Sequence, residues 1–394
     1  MNPSVSLPSD RLSVVDALRG FALLAIVLLH NLEHYNIYFA PEGLPEWLQQ
    51  LDGTVWRTTF FLLAGKAYAT FSLLFGFSFY VQMRNARGRG VDFRARFAWR
   101  MLLLAGFSQL HALFYNGDIL LLYAVMGLVL IPASGWKNRT VFIVATVLML
   151  QPLEWGKVIY AMLNPDYRDP VTAFGRYAEQ AYMVGTQGNF IQTLRDNIWN
   201  GQLFNSLWQI GAGRLFQTPA LFLYGMLLGR LDLFKRSERS VKVWRKLLVA
   251  GVVMFIPLYL LQTYVPAHIA NPVVAAHYGV AVPMLVNFAF MTVLVSFFVL
   301  CWFHKGDGYK FQRAVIPYGR MSLTNYITQS VMGVCLYYNF GLGLYRSTGA
   351  TQTLLIGLGI FAVQLIFSRL WLARHKQGPL EYLWKRGTWI GSKQ

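Results

Sequence analysis

The sequence predicts an all-α polytopic integral membrane protein, a bundle of about ten transmembrane helices whose N- and C-termini lie in the cytoplasm. The first observation behind this prediction is the composition: 55% of the 394 residues are hydrophobic, 13% are charged, and the mean hydropathy is +0.40. A water-soluble protein needs more polar surface. The second is that long apolar runs recur from end to end, which predicts one integral membrane domain over residues 1–394.

Each crossing of the hydrocarbon requires a helix of roughly 20 apolar residues. Segments that meet this requirement lie near residues 12–32, 58–82, 97–115, 117–134, 139–155, 214–233, 245–265, 280–303, 315–338 and 351–373. Because Asn-Gly-Asp is typical of a tight turn, residues 97–134 are predicted to form a helical hairpin that turns at 116–118.

The formal net charge of +18 follows this topology and does not mark a nucleic-acid surface. Lys and Arg cluster in every second connection, whereas the connections at residues 33–55 and 264–280 contain neither. By the positive-inside rule, the basic connections and both termini face the cytoplasm. We therefore expect contact with anionic membrane lipids and no nucleic-acid partner.

The longest segment on the other side is predicted to be an extra-cytoplasmic loop over residues 156–213. Within it, residues 174–183 (FGRYAEQAYM) have the pattern of a short amphipathic helix at the membrane interface. Such a helix either covers a cavity or packs on the bundle without a further role, and the sequence leaves both interpretations open.

Four polar residues, Asp16, Arg19, His30 and His34, share one face of the first predicted helix. At 100° per residue they fall within a sector of about 60°. Because charged groups are costly in hydrocarbon, this stripe is expected to face the bundle interior or a water-filled cavity. For Asp16 and Arg19 alone, an intrahelical ion pair that anchors the helix is the alternative.

The candidate catalytic residues are His111, Asp118 and His30, all near the predicted extra-cytoplasmic side. A carboxylate beside an imidazole fixes its tautomer and raises its basicity, which suits His111 to general-base chemistry. An interfacial hydrogen bond is the alternative role for any of these histidines. His30 and His34 also have the spacing of two metal ligands on one helix, but they lack a supporting motif, so we expect no metal.

At the predicted cytoplasmic side, the segment 318–330 (YGRMSLTNYITQS) opens the ninth span with many hydrogen-bonding groups, including Arg320 and Asn325. Such groups are expected to face other helices or a ligand. Arg19 and Arg320, with the arginines of residues 84–100, are suited to bind a phosphorylated ligand that enters from the cytoplasm. Contact with lipid headgroups is the alternative.

Several segments resemble the YeiB-like family of bacterial membrane proteins, whose C-terminal half is a domain of unknown function. They are RLSVVDALRGFALLAIVLLHN, LLFGFSFY, HALFYNGDILLLYAVMGLVL, YGRMSLTNYITQS and QGPLEYLWKRGTW. The first is also similar to the opening block of transmembrane acyltransferases, including the lysosomal heparan glucosaminide acetyltransferase and glucan-modifying succinyltransferases. The resemblance implies about ten helices, acyl transfer across the bilayer, and a place in the bacterial cytoplasmic (inner) membrane.

Residue by residue, the resemblance covers the predicted ligand-binding positions. Asp16, Arg19 and Gly20 match the DxxRG block, Asp118 matches the GD block, and Arg320 with Asn325 match the GRMxLTNY block. The position of His30 is more often Asn in the family, so the resemblance assigns it no role.

Two functions are therefore expected as alternatives. The first is an acyltransferase that moves an acyl group from cytoplasmic acyl-CoA to a hydroxyl or amine of an extra-cytoplasmic or lipid-linked glycan or lipid acceptor. Arg19, Arg320, Asp16 and Asn325 are expected to bind the donor, and His111 or His30 to deprotonate the acceptor. The second is a transporter or lipid-handling protein that uses the same polar cavity without chemistry. The sequence leaves open whether the protein is a monomer or a homodimer.

Overall fold

A computed structural model describes residues 12–170 and 172–390, and this part of the chain contains helices and connections but no β-strand. The predicted all-α class is confirmed. In chain order the helices are α1 Ser13–Leu32, α2 Glu46–Leu63, α3 Lys66–Arg87, α4 Arg94–Ala112, α5 Leu120–Gly127, α6 Leu130–Ala133, α7 Asn138–Met149, α8 Pro152–Leu163, α9 Phe174–Gln187, α10 Phe190–Gly211, α11 Arg214–Arg230, α12 Glu238–Tyr264, α13 Pro272–Lys305, α14 Lys310–Ala314, α15 Ile316–Arg320, α16 Ser322–Tyr337, α17 Ala350–Arg374 and α18 Pro379–Thr388.

The number of helices that could cross a membrane is smaller than predicted. Within the described ranges, five stretches are long and apolar enough: Ser13–Leu32, Glu46–Arg87, Glu238–His268, Pro272–Lys305 and Ala350–Arg374. The pair α7–α8, bent by 46°, gives a sixth if it forms one span. These helices are those of a membrane protein, but the prediction of about ten spans is wrong.

The remaining predicted spans fail for identifiable reasons. The first turns of α4 carry Arg94, Arg96 and Arg100, and the predicted span 117–134 is broken into the short helices α5 and α6. Helices α11 and α16 have only 17 and 16 residues. A helix surrounded by other helices does not need the length or apolarity of one that faces lipid.

Burial separates a peripheral layer of helices from a central one. Only three of the 27 residues of α12 are buried, whereas ten of the 17 residues of α11 are. Helix α11 packs directly on α3, and glycines permit this close approach. A Cβ atom at Gly225 would collide with the backbone carbonyl of Leu73, and one at Gly76 with that of Phe222. The α3–α11 contact is therefore a close backbone-to-backbone contact within the core of the bundle.

The bundle has two chemically different ends. We call the "basic end" the one formed by the starts of α1 and α4, the end of α3 and the short helix α18. The "histidine end" is the one where the last turns of α1 and α4 carry His30 and His111. Both limits of the described chain lie at the basic end. There Arg320 donates a hydrogen bond to the Lys376 carbonyl (3.1 Å), and Arg96 donates one to the Thr388 carbonyl (2.7 Å).

The segment 156–213, predicted as a loop with one short helix, is largely helical. It contains the end of α8 and all of α9 and α10, which are joined by a 2.5 Å hydrogen bond from Gln180 to Asp196. Asn205 and Gln209 of α10 donate hydrogen bonds to the Asp118 carbonyl, at 2.5 and 2.9 Å. These contacts fix the α9–α10 pair at the histidine end, and the extra-cytoplasmic location of this segment stays a prediction.

We expect Gly225→Ala to destabilise the protein by about 1–3 kcal/mol, because its methyl group would separate α3 from α11. The measurement is the thermal unfolding midpoint of the purified protein in detergent. Gly279→Ala is the matched control, since a Cβ at Gly279 has no heavy atom within 4 Å and alanine is the better helix former. Equal midpoints for the two variants would show that the α3–α11 contact does not determine stability.

Candidate functional site

A single large cavity extends from the basic end to the histidine end of the bundle. Its volume is about 1250 Å³. The cationic side chains of Arg19, Arg100 and Arg320 line it at the basic end, and His30 and Glu33 line it at the histidine end. Between them the wall is mainly apolar and aromatic, with Phe71, Phe75, Met101, Leu104 and Tyr123. Most of the residues discussed below line this cavity or lie directly behind its wall.

Asp16 and Arg19 form the ion pair that their spacing predicts. The Arg19 Nη1 atom donates to the Asp16 Oδ1 atom at 3.0 Å, and the Arg19 Nη2 atom donates to the Ser78 hydroxyl at 2.9 Å. Asp16 is buried and does not line the cavity, whereas Arg19 does. The carboxylate therefore orients the guanidinium towards the cavity instead of facing a ligand itself.

Two further arginines complete the basic end of the cavity. Arg320 reaches it from the end of α15, and the guanidinium carbon of Arg100 lies 3.6 Å from the centre of the Trp384 ring. The Glu381 carboxylate also lines this end. However, it accepts hydrogen bonds from the Leu323 amide (2.7 Å) and from the Thr324 hydroxyl (2.6 Å), so it caps the start of α16. The local charge of this part of the cavity is positive.

Asn325, expected to contact a ligand, lies away from the cavity. Its side-chain amide donates to the Tyr318 carbonyl and to the Ser368 hydroxyl, both at 3.0 Å. Gln364 donates to its backbone carbonyl at 3.0 Å. Asn325 is fully buried and connects α15, α16 and α17. Its position indicates a structural role.

His30 lines the cavity, as the polar stripe predicts. Its ring lies between the rings of Tyr35 and Tyr115, with centroid distances of 5.6 and 5.4 Å. The Nδ1 atom is buried and has no hydrogen-bond partner in the described part of the chain. Aromatic packing thus holds this histidine while the residue remains accessible from the cavity.

His34 does not continue the stripe, because α1 ends at Leu32. His34 and Tyr35 have left-handed backbone angles (φ 45° and 53°), and the Tyr35 hydroxyl reaches inward to donate to the Gln329 carbonyl at 3.0 Å. The His34 Nε2 atom instead lies 2.9 Å from the Thr348 carbonyl oxygen. The predicted face of four polar residues is therefore reduced to three. No trio of His, Cys, Asp or Glu arranged for a metal ion occurs in residues 12–170 and 172–390.

His111 and Asp118 form a buried pair, with 2.8 Å between the Nδ1 and Oδ1 atoms. The second carboxylate oxygen of Asp118 accepts hydrogen bonds from the Ser108 hydroxyl and from the Leu120 amide (3.0 Å). His111 does not line the large cavity. Its ring contacts Tyr115 and Tyr326, which do, at centroid distances of 5.9 and 5.2 Å. The pair thus lies directly behind the cavity wall.

Glu33 is a cavity residue that the sequence analysis did not identify, because it belongs to the predicted connection 33–55, which was assigned no site. It follows α1 directly, three residues after His30, and the Tyr38 hydroxyl hydrogen-bonds to its carboxyl group. Burial raises the pKa of Glu33 from 4.5 to about 7. The helical spacing from His30 would have found it. Lys66 and Arg214, from α3 and α11, also line the cavity and were not predicted.

We expect Glu33→Gln to become more stable than the wild type as the pH rises from 5 to 8. A carboxyl group whose pKa is raised by folding is favourable when protonated, so its contribution is present below pH 4.5 and is lost by about pH 7. The full difference is at most about 3 kcal/mol. Thermal midpoints across this pH range measure it, with the exposed Glu42→Gln as control. A pH-independent difference between wild type and Glu33→Gln would contradict this prediction.

Comparison with known proteins places the chain among bacterial relatives. Residues 228–391 match the family described as "Protein of unknown function (DUF418)". The chain is 28% identical to the uncharacterized protein YxaH of Bacillus subtilis (strain 168), over 98% of this chain and 96% of the relative. It is 26% identical to the uncharacterized protein YeiB of Escherichia coli (strain K12), over 96% of each chain. No solved structure matches significantly. These matches confirm that the chain resembles the YeiB-like family along nearly its whole length.

Proposed function

We propose that this protein is a membrane-embedded acyltransferase. It moves an acyl group from cytoplasmic acyl-CoA to a hydroxyl or amine of an extra-cytoplasmic or lipid-linked glycan or lipid acceptor. One observation carries the proposal: a single cavity of about 1250 Å³ joins three arginines at the basic end to His30 and Glu33 at the histidine end. A cavity of this volume exceeds the ordinary range of small-molecule sites and has room for a donor and an acceptor together.

The basic end suits the nucleotide part of the donor. Guanidinium groups donate paired hydrogen bonds to phosphate oxygens. Arg19, Arg100 and Arg320 place three guanidinium groups at this end of the cavity. By the positive-inside rule, the basic end lies at the cytoplasmic side of the bacterial inner membrane, and acyl-CoA is available in the cytoplasm. The apolar middle of the cavity then accommodates the arm that carries the thioester towards the histidine end.

Acyl transfer requires a base, a nucleophile and a hydrogen-bond donor that stabilises the developing oxyanion. His30 takes the proton from the acceptor hydroxyl or amine, whose oxygen or nitrogen bonds to the thioester carbonyl carbon. The carbon–sulfur bond then breaks, and the departing thiolate of CoA receives the proton from the imidazolium. Tyr326 lines the cavity, and its hydroxyl accepts from the Ile119 amide at 3.2 Å, which leaves the hydroxyl proton to stabilise the oxyanion.

In this proposal His111 and Asp118 act as positioning residues. The aromatic rings of Tyr115 and Tyr326 lie against His111 on one side and line the cavity on the other. The buried pair with Asp118 fixes the His111 ring, and with it the tyrosines that the reactants would touch.

CoA should raise the thermal midpoint of the purified protein, and Arg320→Gln should weaken CoA binding about 10- to 100-fold, the loss expected for charged hydrogen bonds. Isothermal titration of CoA into each protein measures the effect. Arg239→Gln, an exposed arginine that does not line the cavity, is the matched control and should bind CoA normally. If neither CoA nor a short-chain acyl-CoA changes the midpoint, the protein is not an acyl-CoA enzyme.

His30→Gln should lower acyl-CoA turnover by at least about 100-fold while CoA binding stays unchanged, because it removes the base and not the donor site. The measurement is hydrolysis of acetyl-CoA by the purified protein, with water as the acceptor of the acetyl group, followed as release of free CoA thiol and paired with the CoA titration. His375→Gln, an exposed histidine, is the control. Wild-type turnover by His30→Gln would exclude His30 as the base.

A transporter or lipid-handling protein is the second candidate, and the end-to-end reach of the cavity supports it. A pathway of this kind needs polar groups at both ends but no acyl donor. The two CoA experiments separate the candidates, since neither CoA binding nor thiol release is expected of a transporter.

A further inference from the structure

Lys66 is a buried cation in the interior of the bundle. It opens α3 directly after Gly65, whose left-handed backbone (φ 75°) breaks the apolar stretch Glu46–Arg87 between α2 and α3. The residue is only 7% exposed, and it lines the cavity. In the described part of the chain its ammonium group forms no hydrogen bond and no ion pair. Its nearest cation–π partners are the rings of Phe61 and Phe290, 5.7 and 5.5 Å from the Nζ atom to the ring centres.

An ammonium group in such surroundings is unfavourable without an anion. The local backbone adds to the positive charge, because the first amide groups of a helix have no intrahelical acceptor and lie at the positive end of its dipole. Residues 65–68, which form this first turn of α3, all line the cavity. A buried lysine and a 22-residue helix therefore direct positive charge at the same volume.

Arg214, the first residue of α11, lies beside the same turn. Its guanidinium carbon is 4.4 Å from the centre of the Tyr68 ring and 4.2 Å from that of Trp208. Arg214 forms no ion pair within the described ranges, and its contacts are the faces of these two rings. Two cations and a helix N-terminus thus surround one part of the cavity, away from the arginines at the basic end.

The wall next to Lys66 is aromatic and reaches the outer surface of the bundle. Phe60 and Phe61 of α2, Phe255 and Tyr259 of α12, and Met284 of α13 form it. Phe61 and Tyr259 are 41% and 38% exposed, and α12 belongs to the peripheral layer. A hydrocarbon chain fits against such a wall, whereas a free inorganic ion gains nothing from it.

We propose that Lys66, the α3 N-terminus and Arg214 bind the phosphate group of a lipid whose hydrocarbon chain lies against this aromatic wall. The role of this lipid rests on the proposed acyltransferase function. In that function the lipid carries the acceptor group, and the lipid headgroup lies within the same cavity as His30 and Glu33. Charge complementarity selects a phosphate, and the wall selects a lipid as its source.

The test measures lipid binding to the purified full-length protein in detergent, with no acyl donor present. Phosphatidic acid and diacylglycerol with identical chains are compared by native mass spectrometry. We expect at least a tenfold preference for phosphatidic acid in the wild type, retained by Lys66→Arg and lost in Lys66→Gln. Lys246→Gln, an exposed lysine on α12, is the matched control and should behave as the wild type. Arg214→Gln reads out the same site if Lys66→Gln does not fold.

Three results would overturn the proposal. One is equal binding of the two lipids by the wild type. Another is displacement of phosphatidic acid by inorganic phosphate at the same concentration, which would mean an anion site without a lipid. The third is weaker CoA binding by Lys66→Gln with unchanged lipid preference, which would assign Lys66 to the donor. Because the lipid assay contains no acyl-CoA, absence of CoA binding would refute the acyltransferase and leave the lipid site standing.

Discussion

The cost of placing charged groups inside an apolar bundle determines how this protein is built. Helix α1 carries Asp16, Arg19 and His30 through the interior, and Glu33 follows directly. Such groups require a partner or water. Asp16 satisfies Arg19 at 3.0 Å, and the remaining groups face the cavity. The peripheral apolar helices thus surround a cavity that has charged groups at both ends and an apolar middle.

The same constraint explains why the sequence predicts the helical class correctly but not the number of spans. Hydropathy detects α12, α13 and α17, which are long and apolar. It cannot distinguish a lipid-facing helix from one that other helices surround, because only the former must be apolar along its length. Helix α11 has 17 residues and is mostly buried. Arg96 and Arg100 of α4 both hydrogen-bond to Thr388 of α18, and Arg100 also lines the cavity.

The candidate site was predictable wherever helical periodicity applies and was missed where it stops. Periodicity placed Arg19 and His30 on the face that lines the cavity, but it could not show that α1 ends at Leu32. Beyond that residue, His34 and Tyr35 have left-handed backbone angles, and the His34 ring contacts the Thr348 carbonyl instead of the cavity. The pairing of His111 with Asp118 was also predicted, because Asp118 follows His111 by seven positions across a turn. The side of the cavity wall on which the pair lies depends on long-range packing, which the sequence does not reveal. Lys66 and Arg214 come together only through the α3–α11 contact, to which no local pattern points.

The distribution of charge along the cavity bears on the choice between chemistry and transport. The cations form two groups, Arg19, Arg100 and Arg320 at the basic end and Lys66 with Arg214 towards the other. Phe71, Phe75, Met101 and Leu104 lie in the middle. A polar solute that crossed from end to end would have to leave its water at this apolar stretch, which is costly without hydrogen-bonding partners. A ligand that keeps its phosphates at one end and extends an uncharged arm through the middle has no such cost.

A second ligand can meanwhile place its own phosphate beside Lys66. The two cation groups with an apolar segment between them therefore favour two anchored reactants that meet inside the protein over one solute that passes through it.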